Sequence, residues 1–127
     1  MSKTKVSNVS AEQAYKLINE NKNLIILDVR TNEEYQSGHI AGAKLIPVQV
    51  LAARLNELKE YQAKPMLVYC ASGGRSPKAV NFLLANGFTE IYHLDRGISS
   101  WRYELTRKMI DCDKQTITLS TNAVLSQ

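Results

Sequence analysis

The sequence predicts an α/β domain in which a parallel sheet is covered by helices. Three apolar runs read as strands: LIILDVR at 24–30, MLVYC at 66–70 and IYHLD at 91–95. Strands buried on both faces read as continuous apolar runs, and their alternation with helical segments is the pattern of a parallel sheet. At 127 residues and 44% hydrophobic content, the chain fits one domain with a single core and is too short for two.

The elements follow in order. Ser10 with Gln13 has the spacing of a capping box and opens a helix over residues 11–21. Thr31 with Glu34 repeats that signal for a short turn of helix that Gly38 ends. Leu51, Leu55 and Leu58 recur at helical spacing and form one buried stripe. Residues 98–108, ISSWRYELTRK, read as a last helix with Trp101 and Leu105 one turn apart, so Trp101 is read as core. These signals divide the chain into a domain over residues 1–108 and a tail over 109–127. The tail is polar and rich in Thr and Ser, with a brief alternation in TITLS. It reads equally as an edge strand, an interaction segment or a partly disordered end.

The formal net charge of +4 is spread along the chain instead of forming a block, which fits a solvated basic face and argues against nucleic-acid binding. No apolar run approaches the roughly 20 residues that span a bilayer, and the start MSKTKVSNVS lacks the apolar stretch of a signal peptide. The expected setting is cytoplasmic, without a membrane. In that reducing compartment Cys70 and Cys112 are expected as free thiols.

The chemistry concentrates in VYCASGGRSPKAVNFLLANG, residues 68–87. An apolar strand ends at Cys70, the small residues Ala71, Ser72, Gly73 and Gly74 follow, and Ser76 and Pro77 begin an apolar helix that Gly87 ends. Ser76 is expected as its N-cap and Pro77 as its first residue. A turn of small residues at a helix N-terminus can point several N–H groups at one spot, where the helix dipole adds roughly half a positive charge. Such a cup binds anions. The amides and Arg75 should favour the thiolate of Cys70, while Gly73 and Gly74 can take positive φ and admit a substrate close to the backbone. A buried apolar cysteine at a strand end is the bland alternative. The small polar residues after Cys70 argue against it. The sequence has no GxxxxGK[ST], paired CxxC, HExxH or GxSxG motif.

LDVRTNEEYQSGHIAGAKLIP (27–47), VYCASGGRS (68–76) and LDRGISSW (94–101) resemble the three sequence blocks of single-domain rhodaneses, in order and at similar spacing. The resemblance covers residues 5–105. It implies the rhodanese-like fold, a five-stranded, mostly parallel sheet with helices on both faces. It also implies a sulfurtransferase that carries sulfane sulfur as a persulfide on Cys70, the catalytic residue, cradled by the substrate-binding amides of Ala71, Ser72, Gly73, Gly74, Arg75 and Ser76. Asp28 and Arg30 match supporting positions. The implied donor is thiosulfate, a small sulfur-containing anion, or a protein persulfide, and the implied acceptor is cyanide or a thiol.

No metal or organic cofactor is expected. Phosphatases of this fold have five residues between Cys and Arg, whereas four, 71–74, intervene here, which implies a cup sized for sulfur. Three positions depart from the pattern. Ala71 stands where a basic residue is common, Ala41 where proline is common, and Arg96 replaces the first glycine of a Gly-Gly pair. Ala71 and the unusual tail leave room for a second reading, a sulfur-relay or regulatory binding module with low turnover and one protein partner. His39 and His93 are read as histidines hydrogen-bonded in a turn and on a strand, outside the site. Cys112 is read as an ordinary thiol, the alternative being a thiol that resolves the persulfide as a disulfide.

Overall fold

Strands that are apolar on both faces need cover on both sides, and the computed structural model, which describes residues 4–107, provides it. Five strands, β1 (Lys5–Val9), β2 (Ile25–Asp28), β3 (Lys44–Leu45), β4 (Met66–Tyr69) and β5 (Glu90–Leu94), form one sheet in the order β1-β5-β4-β2-β3. Every pairing is parallel. Side chains alternate between two cores: Leu27, Met66, Val68, Cys70 and Ile91 face one side, and Ile26, Leu67, Tyr69, Tyr92 and Leu94 face the other. Helix α3 (Ser76–Ala85) seals the first core with Ala79, Val80 and Leu83. Helices α1 (Ala11–Glu20) and α2 (Asn32–Gln36) seal the second with Ala11, Ala14 and Tyr35. No helix among the described residues is long and apolar enough to cross a membrane.

Both capping boxes form. Ser10 accepts from Gln13 N–H while the Gln13 side chain accepts from Ser10 N–H, and Thr31 and Glu34 repeat the exchange. Strands β1 and β3 carried no signal that sequence reading used, because the edge strand KVSNV is mostly exposed and KL is only two residues long. Leu51 and Leu58 are buried and Leu55 is partly so, on 3₁₀ turns that include Leu55–Tyr61.

The expected helix over 98–108 is not there. A 3₁₀ turn spans Gly97–Ser100, after which the chain is irregular to residue 107. The amides of Ile98 and Ser99 bond to Cys70 O and Ala71 O, while the hydroxyls of Ser99 and Ser100 donate to Arg96 O and Gly97 O. These bonds tie the segment to the neighbouring loop and compete with a helix. Trp101 and Tyr103 gather around Tyr15 of α1, Leu105 is exposed, and Thr106 pairs antiparallel with His39. The tail expected over 109–127, with Cys112, lies outside the described residues.

Candidate active site

Strand β4 delivers Cys70 to the end of the sheet, and residues 71–75 turn back over it to start α3. Cys70 is a free thiol with no exposed surface. Its Sγ accepts from the amides of Gly73 at 3.2 Å and Ser76 at 3.3 Å, and lies 3.3 Å from Ser76 Oγ. The amides of Ala71, Ser72 and Gly74 make no hydrogen bond to it. Burial pushes the thiol up, but the Ser76 hydroxyl and the amides of Ser76, Arg75 and Gly73 together outweigh burial and hold it below its ordinary value. An apolar structural cysteine would have the same burial without this set of donors.

Three expectations change at the loop. Arg75, not Ser76, is the N-cap, and it caps without its side chain; Ser76 is the first residue of α3, followed by Pro77. The Ser76 side chain is therefore free to face Cys70. Among the loop glycines only Gly73 has positive φ, at 97°, while Gly74 is not in that region. The Arg75 guanidinium makes no hydrogen bond to the sulfur, although its charge bears on Cys70. Its guanidinium forks onto the Glu34 carboxylate at 2.8 and 2.9 Å, with about a third of each side chain exposed. Arg75 above all, helped against burial by Thr31, holds the Glu34 carboxyl down to about 2.

The cup is closed by contacts that tolerate no side chain. A Cβ on Gly73 would lie 2.3 Å from Asp95 O, and one on Gly97, at φ 64°, would lie 2.6 Å from Cys70 O and from the Ala71 carbonyl. Replacing Gly73 by alanine combines a backbone clash with an unfavourable φ, for which roughly 1–3 kcal/mol is expected. The amide would leave Sγ as the loop shifts. Alkylation of Cys70 followed against pH is expected to move its midpoint upward in this variant, and an unmoved midpoint would show that the Gly73 amide does not stabilise the thiolate.

Asp28 and Arg30 form a buried ion pair, with exposures of 0% and 4%. Arg30 Nη2 donates to Asp28 Oδ2 at 2.7 Å and to Gly38 O at 2.9 Å, Arg30 N–H donates to Asp28 Oδ1, and the guanidinium lies over the Tyr69 ring. Neither side chain is hydrogen-bonded to Cys70. His39 is buried at the bridge to Thr106 and not in the expected turn, stacked on Tyr35 with Nδ1 bonded to Tyr35 O.

His93 is buried on its strand as expected, but its partners include the site. Its Nε2 lies 2.5 Å from Ser76 Oγ, and its Nδ1 lies 3.1 Å from Asn8 Oδ1 on β1. Burial lowers the basicity of the imidazole, partly opposed by the charge of Asp95. Sequence reading missed this contact because it requires the strand order: the register sets His93 beside both Asn8 and Val68. Two residues beyond Val68, on the same face, is Cys70. Glu34, read only as a helix cap, was missed as the partner of Arg75.

The family described as Rhodanese-like domain matches residues 10–104. Uncharacterized protein YqhL of Bacillus subtilis is 40% identical over 83 residues, an alignment that spans 65% of this chain and 64% of that protein, so the chain covers just under two thirds of this relative. Thiosulfate sulfurtransferase GlpE of Pseudoalteromonas translucida is 29% identical over 101 residues, covering 80% of this chain and 93% of that one. The crystal structure of a rhodanese-like domain protein from Staphylococcus aureus matches with a TM-score of 0.72 at 33% identity, covering 81% of this chain and 99% of that one.

Proposed function

Because the chain belongs to the rhodanese-like domain family, we propose that it is a cytoplasmic sulfurtransferase that carries sulfane sulfur on Cys70. The observation that carries this reading is the pair of amides, from Gly73 and Ser76, aimed at Sγ at the N-terminus of α3. Thiolate attack on the outer sulfur of the donor forms a new S–S bond. The donor's own S–S bond breaks with its electron pair, which leaves on sulfite when the donor is thiosulfate. The amides then stabilise the persulfide anion until cyanide or a thiol attacks its terminal sulfur and restores the thiolate. Since Cys70 has no exposed surface, loading requires the residues over it to move.

The test is to incubate the protein with thiosulfate and measure intact mass with and without a thiol reductant, following sulfite release with cyanide as acceptor. A reductant-sensitive gain of one sulfur atom on Cys70 is expected. No gain with thiosulfate or with a persulfide donor would overturn the proposal.

A second reading, a relay loaded from a partner protein's persulfide, is favoured by one observation. Ala71 supplies no cation beside the sulfur, and the charge of Arg75 is largely neutralised by Glu34, so the loop offers little to an anionic donor. Glu34→Gln keeps an oxygen for the Thr31 N–H while removing the charge. It is expected to raise kcat/KM for thiosulfate about threefold, or about 0.6 kcal/mol, the scale of a half-exposed charge. A persulfide donor, which carries one negative charge where thiosulfate carries two, should respond less, and an equal response would remove the support that this observation lends to the relay.

A further inference from the structure

Cys70, Ser76, His93 and Asn8 lie in one hydrogen-bonded line that runs from the loop through α3 and β5 to the edge strand β1. Asn8 Oδ1 can only accept, so His93 Nδ1 carries a proton and donates it. Nε2 is then the unprotonated nitrogen, and the Ser76 hydroxyl donates to it. The Ser76 oxygen in turn accepts from the Cys70 thiol. Each group in the line thus has one defined role. We propose that His93 is a positioning residue that takes up the proton of Cys70 through Ser76, with its receiving tautomer set by Asn8.

The inference rests on Cys70 being the sulfur-carrying nucleophile and adds the destination of its proton. In the transfer the Sγ–H proton passes to Ser76 Oγ as the Ser76 hydroxyl proton passes to His93 Nε2. One S–H bond and one O–H bond break while one O–H bond and one N–H bond form, so no proton is gained or lost. Thiol and imidazole become thiolate and imidazolium, and every hydrogen bond in the line reverses between Cys70 and Nε2 while Nδ1–H still donates to Asn8. The Ser76 hydroxyl now donates to the thiolate, adding to the amides of Gly73 and Ser76. After sulfur transfer the imidazolium faces the persulfide anion through the same hydroxyl. When the acceptor removes the sulfur, the regenerated thiolate recovers its proton along the same line.

Burial lowers the basicity of His93, which favours the neutral form that can receive a proton and sets a cost on the imidazolium formed when it does. The groups that bear on this line are few. Asp95, just beyond β5, favours the imidazolium; Asn8 of β1 and Ser76 of α3 are uncharged; and at the sulfur end Arg75 is paired with Glu34.

The thiolate of Cys70 is read directly by its ultraviolet absorbance against pH, in the full chain carrying Cys112→Ser and with Cys70→Ser/Cys112→Ser as the blank. No sulfur donor is used, so the outcome is independent of whether thiosulfate loads the protein. His93→Gln keeps an acceptor for Ser76 but cannot take up a proton, and is expected to raise the thiolate midpoint by at least about one pH unit, tenfold in thiolate fraction below the midpoint. Asn8→Asp lies on an exposed edge position and places a carboxylate on Nδ1–H. It is expected to lower the midpoint, whereas a carboxylate acting on Cys70 through space would raise it. In a Ser76→Ala background the effect of Asn8→Asp should vanish, because the line is cut. A midpoint unchanged or raised by Asn8→Asp, or an equal shift with and without Ser76, overturns the proposal even if His93→Gln does not fold.

Discussion

Cys70→Ser is expected to abolish sulfur loading and the thiosulfate-to-cyanide reaction while leaving the fold intact. A hydroxyl cannot form a persulfide, so the loss is complete and has no fold-change. The fold should survive because the hydrogen bonds from Gly73 and Ser76 can end on an oxygen acceptor, and because the loop is held by bonds that do not involve the thiol, from Ile98 N to Cys70 O and from Ser99 N to Ala71 O. A melting temperature within a few degrees of the parent is the control. Cys112→Ser should retain most of the activity. If it loses loading as completely as Cys70→Ser, the single-cysteine mechanism fails and a disulfide step must be added. Residual sulfite release by Cys70→Ser would place the chemistry elsewhere.

The parts of this protein that were legible in its sequence are those written in contiguous residues. The central strands announce themselves because burial on both faces leaves unbroken apolar runs, and the two capping boxes form because each is a local exchange over three residues. Cys70 stood out because small residues follow it where a core would need bulk. What escaped was assembled by the sheet. His93 joins the site only once β5 lies between β1 and β4, an order that no local pattern specifies. Glu34 answers both to its own helix and to Arg75, and only the first was visible. The helix expected over 98–108 failed for a related reason. Its apolar spacing was real, but Gly97 must fit against the carbonyls of Cys70 and Ala71, and the next two amides are committed to that loop. Tertiary demand at the site overrode local periodicity.

Asp28→Ala is expected to give a large loss of stability, and the reason lies in what it leaves behind. Asp28 and Arg30 have almost no contact with solvent, so removing the carboxylate strands a guanidinium whose remaining hydrogen bond is to Gly38 O. Breaking a buried pair from one side typically costs about 3–5 kcal/mol, against a total stability of about 5–15 kcal/mol for a domain of this size. The melting temperature should therefore fall by more than about 10 °C. Arg30 also braces the turn at Gly38 and lies over Tyr69, whose hydroxyl accepts from Ile40 N–H, so the disturbance should spread along the 28–40 segment that presents Glu34 to Arg75. Replacing both partners by apolar residues, Asp28→Leu with Arg30→Met, should cost less than Asp28→Ala alone, because no charge is then left buried. Thermal melts of the two variants decide the point. A single variant that melts within about 2 °C of the parent, or a double variant less stable than the single, would show that the pair supports the loop by packing instead of by charge.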